Sequence, residues 1–480
     1  MFNQAKHFIG GEWVSPKENK LIPVIDPSTG ETFGQLAQGN AEDINLAVFA
    51  AQKALDGAWG KLTATERGKL MKKFAALIME HSEELAQIEV QDVGKPVKQS
   101  RADAIACARY FEFYGESCDK ILGDTIPFLN GYTVYTLREP HGVTGHIVPW
   151  NYPMQIIGRS VAASLAMGNA CVIKPAEDAS FSALYLAKLA QEAGFPAGSL
   201  NIVTGFGSEA GAALTAHPGV NHISFTGSNL VGQMVQTAAA KNTIPVTLEL
   251  GGKSPQLVFA DADLEAALPF LVNASIQNAG QTCSAGSRLL VEESIYDKVV
   301  LMIAEKFSTL KVGTAKSDLD IGPVINKKQM IRIKEMIENG KKSGLKVIAE
   351  AKLGSDLPTD GCFVTPTVFG DVPADHELAQ EEIFGPVLSI IKVKDEAHAI
   401  TVANGTKYGL VAGVWTKDGS RALRLAKKLH AGQVFINNYG AAGGIELPFG
   451  GVKGSGHGRE KGLEALYGFS VVKTVAFKHD

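Results

Sequence analysis

The chain has 480 residues, a formal net charge of −4 and 45% hydrophobic residues, enough apolar sequence for a large buried core and two or three domains. Charged residues make up only 20%, with no Lys/Arg run to mark a nucleic-acid surface. The N-terminal MFNQAKHFIGGEWV lacks the apolar heart of a signal peptide, and no apolar stretch reaches the roughly 18 residues of a membrane span, so a cytoplasmic protein without nucleic-acid or membrane partners is expected.

In chain order, residues 41–58 and 65–93 read as amphipathic helices. Residues 131–138 (GYTVYTLR) are β-rich and partly alternating. From Gly142 to Leu250 short β-rich runs alternate with helical patterns. The predicted strands are Val143–Val148, 170–173, 200–204, 222–225 and 246–250. Phe181–Ala193 is a predicted helix with Asp178 or Ser180 as its cap and Gly194 and Pro196 as its stop. This alternation means βαβ units and a parallel sheet, which binds ligands at the carboxyl ends of its strands. A second mixed α/β region runs to about Phe449, and residues 469–477 (FSVVKTVAF) are again β-rich. The two isolated β-rich pieces read either as a small sheet that pairs with another subunit or as ordinary edge strands.

The five cysteines, Cys107, Cys118, Cys171, Cys283 and Cys362, are odd in number and scattered, which predicts reduced thiols and no zinc knuckle. No cluster of metal ligands stands out, and no catalytic metal is predicted. Cys283 sits in GQTCS, among small polar residues that suit an exposed nucleophile better than a core thiol. Glu249, in LELGGK, ends a predicted buried strand, where desolvation raises a carboxyl towards general-base range; the alternative is a carboxylate paired with a base. Asn151 lies between two prolines in PWNYP, either as a rigid amide donor to an oxyanion or as a turn residue bonding its own backbone. A GxGxxG after the first predicted strand is absent. FTGS (225–228) opens a helix after a strand, so Gly227 and Ser228 suit a pyrophosphate. Lys174 and Glu177 follow the second strand, where a carboxylate meets ribose hydroxyls. Each of these also passes as turn chemistry.

Together, PWNYP (149–153), IKPAE (173–177), FTGS (225–228), LELGGKSP (248–255), GQTCSAGSR (280–288), EEIFGP (381–386) and PFGGVKGSGHGRE (448–460) resemble the non-acylating, NAD(P)-dependent aldehyde dehydrogenase superfamily, in the family's order and over essentially the whole chain. The resemblance implies Cys283 as nucleophile, Asn151 with the Cys283 N–H as oxyanion hole, and Glu249 as the base for deacylation. It implies Lys174 and Glu177 at the adenosine ribose, Gly227 and Ser228 at the pyrophosphate, Glu382 and Phe384 at the nicotinamide ribose and ring, and Trp150 as a further cofactor contact. Lys253 and Glu460 fall in family motifs without a firm role. The implied fold is α/β: a Rossmann-like NAD-binding domain (1–120 and 141–251), an α/β catalytic domain (252–452) and a small β oligomerisation arm (121–140 and 465–480), assembling as a homodimer or homotetramer. Glu177 favours NAD, with NADP used more weakly, because a carboxylate repels a 2′-phosphate.

The implied substrate is a small-molecule aldehyde. Arg159 follows Asn151 by eight residues, about two helical turns. It reads either as the partner of a substrate carboxylate at the tunnel mouth or as a structural arginine bonded to neighbouring carbonyls. With Tyr152 it is a candidate substrate contact. The small residues of 439–447 (YGAAGGIEL) suggest a roomy entrance. The expected substrate is therefore bulky, aromatic or a carboxylate-bearing semialdehyde. A coenzyme A-acylating enzyme would lack Glu249, and a catalytically silent homologue would lack the Cys, Glu and Asn set. A cysteine hydrolase would need a histidine near Cys283, whereas His141 and His146 flank a strand.

Overall fold

The computed structural model describes residues 5–479. Two large sheets dominate it. The first has eight strands in the order Gly456–His457, Val246–Glu249, His222–Thr226, Val143–Val148, Ala170–Pro175, Leu200–Ile202, His7–Ile9 and Glu12–Val14. Its five central strands are parallel and are the five runs predicted from sequence, shifted by at most two residues. ACVIKP is buried at every position, as expected of a strand covered by helices on both faces.

Pairing register fixes the active edge. Ile147 stands opposite Lys174, Phe225 opposite Ile147, and Thr226 opposite Glu249. The segments beginning at Pro149, Ala176, Gly227 and Leu250 therefore leave the sheet together, at its carboxyl end. Gly456–His457 pairs antiparallel with Val246–Glu249, which brings the C-terminal motif back to this edge.

The second sheet has seven strands in the order Lys346–Glu350, Thr367–Gly370, Val387–Val393, Arg288–Glu292, Pro255–Val258, Val411–Trp415 and Gln433–Ile436. Each large sheet carries its own apolar core. A small third cluster, Leu410, Val411 and Phe449, packs against Cys283, Phe435 and Tyr439. The two isolated β-rich pieces pair with each other: Ser470–Lys478 lies antiparallel to Tyr132–Pro140, and Thr125–Ile126 completes the sheet. No helix among the described residues is long and apolar enough to cross a membrane.

Three expectations need correction. The helix read over 65–93 is two helices, Ala64–Glu80 and Ser82–Asp92. His81 between them leaves helical geometry (φ −97°, ψ 21°) and is held by the Tyr185 hydroxyl at 3.2 Å, while Glu83 and Glu84 start a new acidic first turn. Neither Asp178 nor Ser180 caps Phe181–Ala193: the Ser180 hydroxyl donates back to the Ala176 carbonyl, and the Phe181 N–H is taken by distant Asp92. Gly194 does stop that helix, in the left-handed conformation (φ +96°). Finally, Val97–Ser117 is a long helix that the sequence reading passed over.

Candidate active site

The segment before Cys283 is wound tightly. Asn278, Ala279 and Gly280 are all left-handed, with φ of 50°, 54° and 75°, a costly run for two non-glycine residues. Hydrogen bonds hold it there. Asn278 Nδ2 donates to the Asn151 carbonyl (2.9 Å), Gln281 Nε2 to the Asn278 carbonyl (3.0 Å), and the Ile325 N–H to Gln281 Oε1 (2.9 Å). Gly280 has no alternative, because a Cβ there would lie 2.1 Å from the Gly385 carbonyl oxygen. The cysteine loop thus packs directly onto the EEIFGP segment.

Asn151 Nδ2 donates to the Gln281 carbonyl at 3.0 Å. A side-chain amide carries two N–H groups; one anchors Asn151 beside the cysteine, and the other remains for a ligand. Tyr152 is buried, its hydroxyl bonded to Thr282 (2.8 Å) and to Gln99 (3.1 Å), with Lys95 over its ring at 4.2 Å. Lys95 is itself fully buried between Glu89 and Asp103, and Glu89 accepts the Met154 N–H at the start of Pro153–Ala166. A buried ionic cluster therefore fixes the turn that carries Asn151.

Asn151, Tyr152, Arg159 and Cys283 line one cavity of about 830 Å³. Phe270, Phe435, Tyr439 and Phe449 give it aromatic walls, and residues 439–441 and 443–447 form one side. Burial pushes the Cys283 thiol up to about 11; the Arg159 guanidinium favours the thiolate, while Glu382 and Glu249 oppose it. Glu249 is buried and neither carboxylate oxygen has a hydrogen-bond partner among the described residues. That desolvation raises its pKa well above the carboxylate range, against the pull of Arg159. Among the described residues Glu249 is in no ion pair.

Arg159 lines the cavity, but its partners are not the neighbouring carbonyls of the structural alternative. It is buried on Pro153–Ala166, with Nε 2.5 Å from Glu460 Oε2 and a guanidinium nitrogen 3.1 Å from the Thr226 hydroxyl. Its charge is answered by the C-terminal motif, not by carbonyls and not by an open solvent face. His146, buried and pushed down to about 3, stacks on Phe469, and His141 bonds the Gly468 carbonyl. Neither lines the cavity.

Behind the cysteine, Glu382 Oε1 accepts the Gly252 N–H at 2.9 Å, and Gly251 leaves room for the carboxylate, since a Cβ there would come within 2.2 Å of it. Burial moves Glu382 up to about 7. Phe384 is left-handed (φ 58°) and meets Trp150 edge-on at 5.4 Å between ring centroids. Arg332, missed in the sequence, holds this strained segment by donating to the Ile383 and Glu382 carbonyls, both at 2.7 Å. Lys253 is buried with no partner for Nζ among the described residues, and burial lowers it to about 7.

Farther along the sheet edge, Lys174 Nζ bonds Glu177 at 3.2 Å. Gly207 and Gly211 of the GFGSEAG segment neighbour the Lys174 side chain, with room for ordinary contact. Ser228 is the N-cap of Asn229–Lys241, its hydroxyl accepting the Val231 N–H at 3.4 Å. Gly227 packs on the Phe225 ring. These groups suit a dinucleotide: a carboxylate for ribose hydroxyls, a helix N-terminus for phosphate, and two aromatic rings at the cysteine end. No group of three or more His, Cys, Asp or Glu among the described residues is arranged to hold a metal ion.

Residues 13–475 match the model of the aldehyde dehydrogenase family. The chain belongs to the aldehyde dehydrogenase family. This family member is 44% identical over 476 residues to an aldehyde dehydrogenase of Emericella nidulans, covering 98% of this chain and 94% of the relative. It superposes on a Burkholderia cenocepacia protein assigned as an aldehyde dehydrogenase with a TM-score of 0.99 and 59% identity, over 99% of this chain and 100% of that one. It also superposes on the NAD+ complex of a Bacillus cereus aldehyde dehydrogenase with a TM-score of 0.96 and 42% identity, over 99% and 97%. Membership makes the dehydrogenase an oxidoreductase acting on aldehydes. Within its site, Glu460 and Lys461 have geometric positions that the motif comparison left unassigned. Glu460 pairs with Arg159 and accepts the Ser224 hydroxyl at 2.6 Å. Lys461, unread in the sequence, lines the cavity.

Proposed function

We propose that the enzyme oxidises an aldehyde to the carboxylic acid with reduction of NAD, through a thioester on Cys283. The observation that carries this reading is one cavity wall holding both a thiol and an anchored amide with an uncommitted N–H, close to a buried carboxylate without an ion-pair partner.

The thiolate of Cys283 adds to the aldehyde carbon, forming a C–S bond and an alkoxide. Asn151 Nδ2 and the Cys283 N–H stabilise that oxygen, fixed donors where charge develops. NAD held at this site would supply the acceptor for the hydride that leaves the adduct carbon, and the carbon then remains on Cys283 as a thioester. Glu249 then takes a proton from water, whose oxygen attacks the thioester carbon. The C–S bond breaks, releasing the acid and restoring Cys283. Residues Lys174, Glu177, Gly227, Ser228, Trp150, Glu382 and Phe384 hold the dinucleotide in this reading.

The same reading divides the chain into an NAD-binding part (1–120 and 141–251), a catalytic part (252–452) and an arm (121–140 and 465–480). Exposed Leu137, Val471, Val472 and Phe477 on the arm sheet support its use in a homodimer or homotetramer. The aromatic cavity walls support an aromatic substrate; a carboxylate-bearing one would need a cation in the lining.

The test is absorbance at the reduced-nicotinamide band with NAD, an aldehyde panel and a Cys283→Ala control. Reduction lost in the control supports the reading; reduction that survives it refutes the role of Cys283. Glu249→Gln should give a single burst of reduced cofactor and then stall, with acyl-enzyme visible by mass spectrometry.

A further inference from the structure

Three cations line the cavity: Arg109, Arg159 and Lys461. Arg109 is paired with Glu112 and Glu446, both at 3.0 Å, and Arg159 is paired with Glu460. Lys461 is different. Among the described residues it has no ion pair, and its ammonium donates only to the Gly443 carbonyl, at 2.5 Å. The acid nearest in influence, Glu446, is already engaged by Arg109. Lys461 is thus a half-buried cation facing the cavity with a neutral acceptor and unused donors.

Its backbone conformation carries a cost. Lys461 is left-handed (φ 64°), a conformation that a long side chain rarely adopts. The hydrogen bonds on either side enforce it: Glu460 and Phe449 exchange both backbone bonds at 2.6 and 2.8 Å, and the Gly462 N–H donates to the Ile445 carbonyl at 2.8 Å. The Nζ atom lies 5.8 Å from the centre of the Phe449 ring, and Phe449 belongs to the cluster packed on Cys283. Lys461 and Cys283 line the same cavity. The acceptor it uses belongs to a small-residue loop with Gly443 and Gly444 at φ 90° and 27°.

Resting on the dehydrogenase reading above, we infer that Lys461 is the specificity-determining residue that binds a carboxylate at the far end of the aldehyde substrate. The preferred substrates are carboxylate-bearing aldehydes, and Arg159, already paired, is not their anchor. The charged groups facing Lys461 are Arg159 and Glu446. Burial and the Arg159 charge bring Lys461 down to about 8, so an incoming carboxylate meets a cation not already neutralised.

The experiment compares para-carboxybenzaldehyde with the neutral para-tolualdehyde on the full-length enzyme, Lys461→Gln and Lys461→Arg. In Lys461→Gln the kcat/KM ratio of the carboxylated over the neutral aldehyde should fall about 10- to 100-fold, carried by KM. Lys461→Arg should keep most of the ratio. Raising the pH through about 8 should weaken the wild-type preference as Lys461 loses its proton, while Lys461→Arg, always charged, holds it. Calorimetric binding of terephthalate should weaken in Lys461→Gln by the same factor, a readout that needs no turnover. An unchanged ratio, or a pH profile shared by wild type and Lys461→Arg, overturns the inference. Absence of cofactor reduction with either aldehyde would count against the dehydrogenase reading, and terephthalate binding would still decide Lys461.

Discussion

Arg159 Nε and Glu460 Oε2 lie 2.5 Å apart, and both side chains are buried. This pair ties the helix after PWNYP to the C-terminal motif and sets a positive charge near Glu249 and Cys283 without leaving it free for substrate. Removing one partner of a buried pair strands the other, at a cost of about 3–5 kcal/mol. Arg159→Ala should therefore unfold at markedly lower denaturant concentration, and its loss of activity should be the same for neutral and carboxylated aldehydes. A selective loss on carboxylated substrates, with stability intact, would restore Arg159 as the substrate anchor.

The thiol should show its burial in its chemistry. Cys107, Cys118, Cys171 and Cys362 are buried, so mild iodoacetamide treatment of the native protein reports Cys283. Only the thiolate reacts. With the thiol pushed up to about 11, the alkylation rate of the cofactor-free enzyme should climb roughly tenfold per pH unit from neutrality upward. A rate already level at neutral pH would mean a thiolate at rest and a different electrostatic balance in the site.

How much of this was legible in the sequence follows from what each residue depends on. The parallel strands were readable because a strand buried on both faces is a continuous apolar run, as in ACVIKP. Cys283 was readable as a candidate nucleophile from its glycine and small polar neighbours, Asn151 from the prolines on either side of PWNYP, and Glu249 from its place between two leucines at the end of a buried strand. Long-range partners were not. Nothing local in 153–166 says that Arg159 meets Glu460, which lies 301 residues later, nor that Asp92 will serve the Phe181 N–H. Arg332 and Lys461 were missed for the same reason: each acts through a carbonyl or cavity brought to it by tertiary folding. The break at His81 escaped notice because the apolar period continues across it, and only the backbone angles and Tyr185 mark the turn.

Cofactor choice should turn on Glu177. Its carboxylate is half-exposed after Ala170–Pro175 and bonded to Lys174 at 3.2 Å. A ribose hydroxyl can donate to it, whereas a 2′-phosphate would meet like charge. Glu177→Gln removes the repulsion and frees Lys174 to face the phosphate. The expected result is an NADP-over-NAD ratio of kcat/KM raised about tenfold or more, roughly 1.4 kcal/mol. Steady-state kinetics with both cofactors measure it, and an unchanged ratio would remove Glu177 from cofactor discrimination.

Arg332 offers a test of how strain is held at the nicotinamide end. Phe384 is left-handed, and the flanking carbonyls of Glu382 and Ile383 are clamped by one guanidinium at 2.7 Å each. Charge-assisted hydrogen bonds of this kind contribute about 1.5–3 kcal/mol each. With Arg332→Ala the segment should relax, moving Phe384 away from Trp150 and Glu382 out of register with Gly252. NAD binding then weakens roughly tenfold or more, read as a higher KM for NAD and a loss of Trp150 fluorescence change on titration. The thermal midpoint should fall as well, because Ile383 of this segment belongs to the second core and two charge-assisted hydrogen bonds are lost. Arg332→Lys, which keeps the charge but cannot reach both carbonyls in one plane, should recover only part of the affinity. Full recovery by lysine would show that charge near Glu382, rather than the clamp, sets cofactor binding.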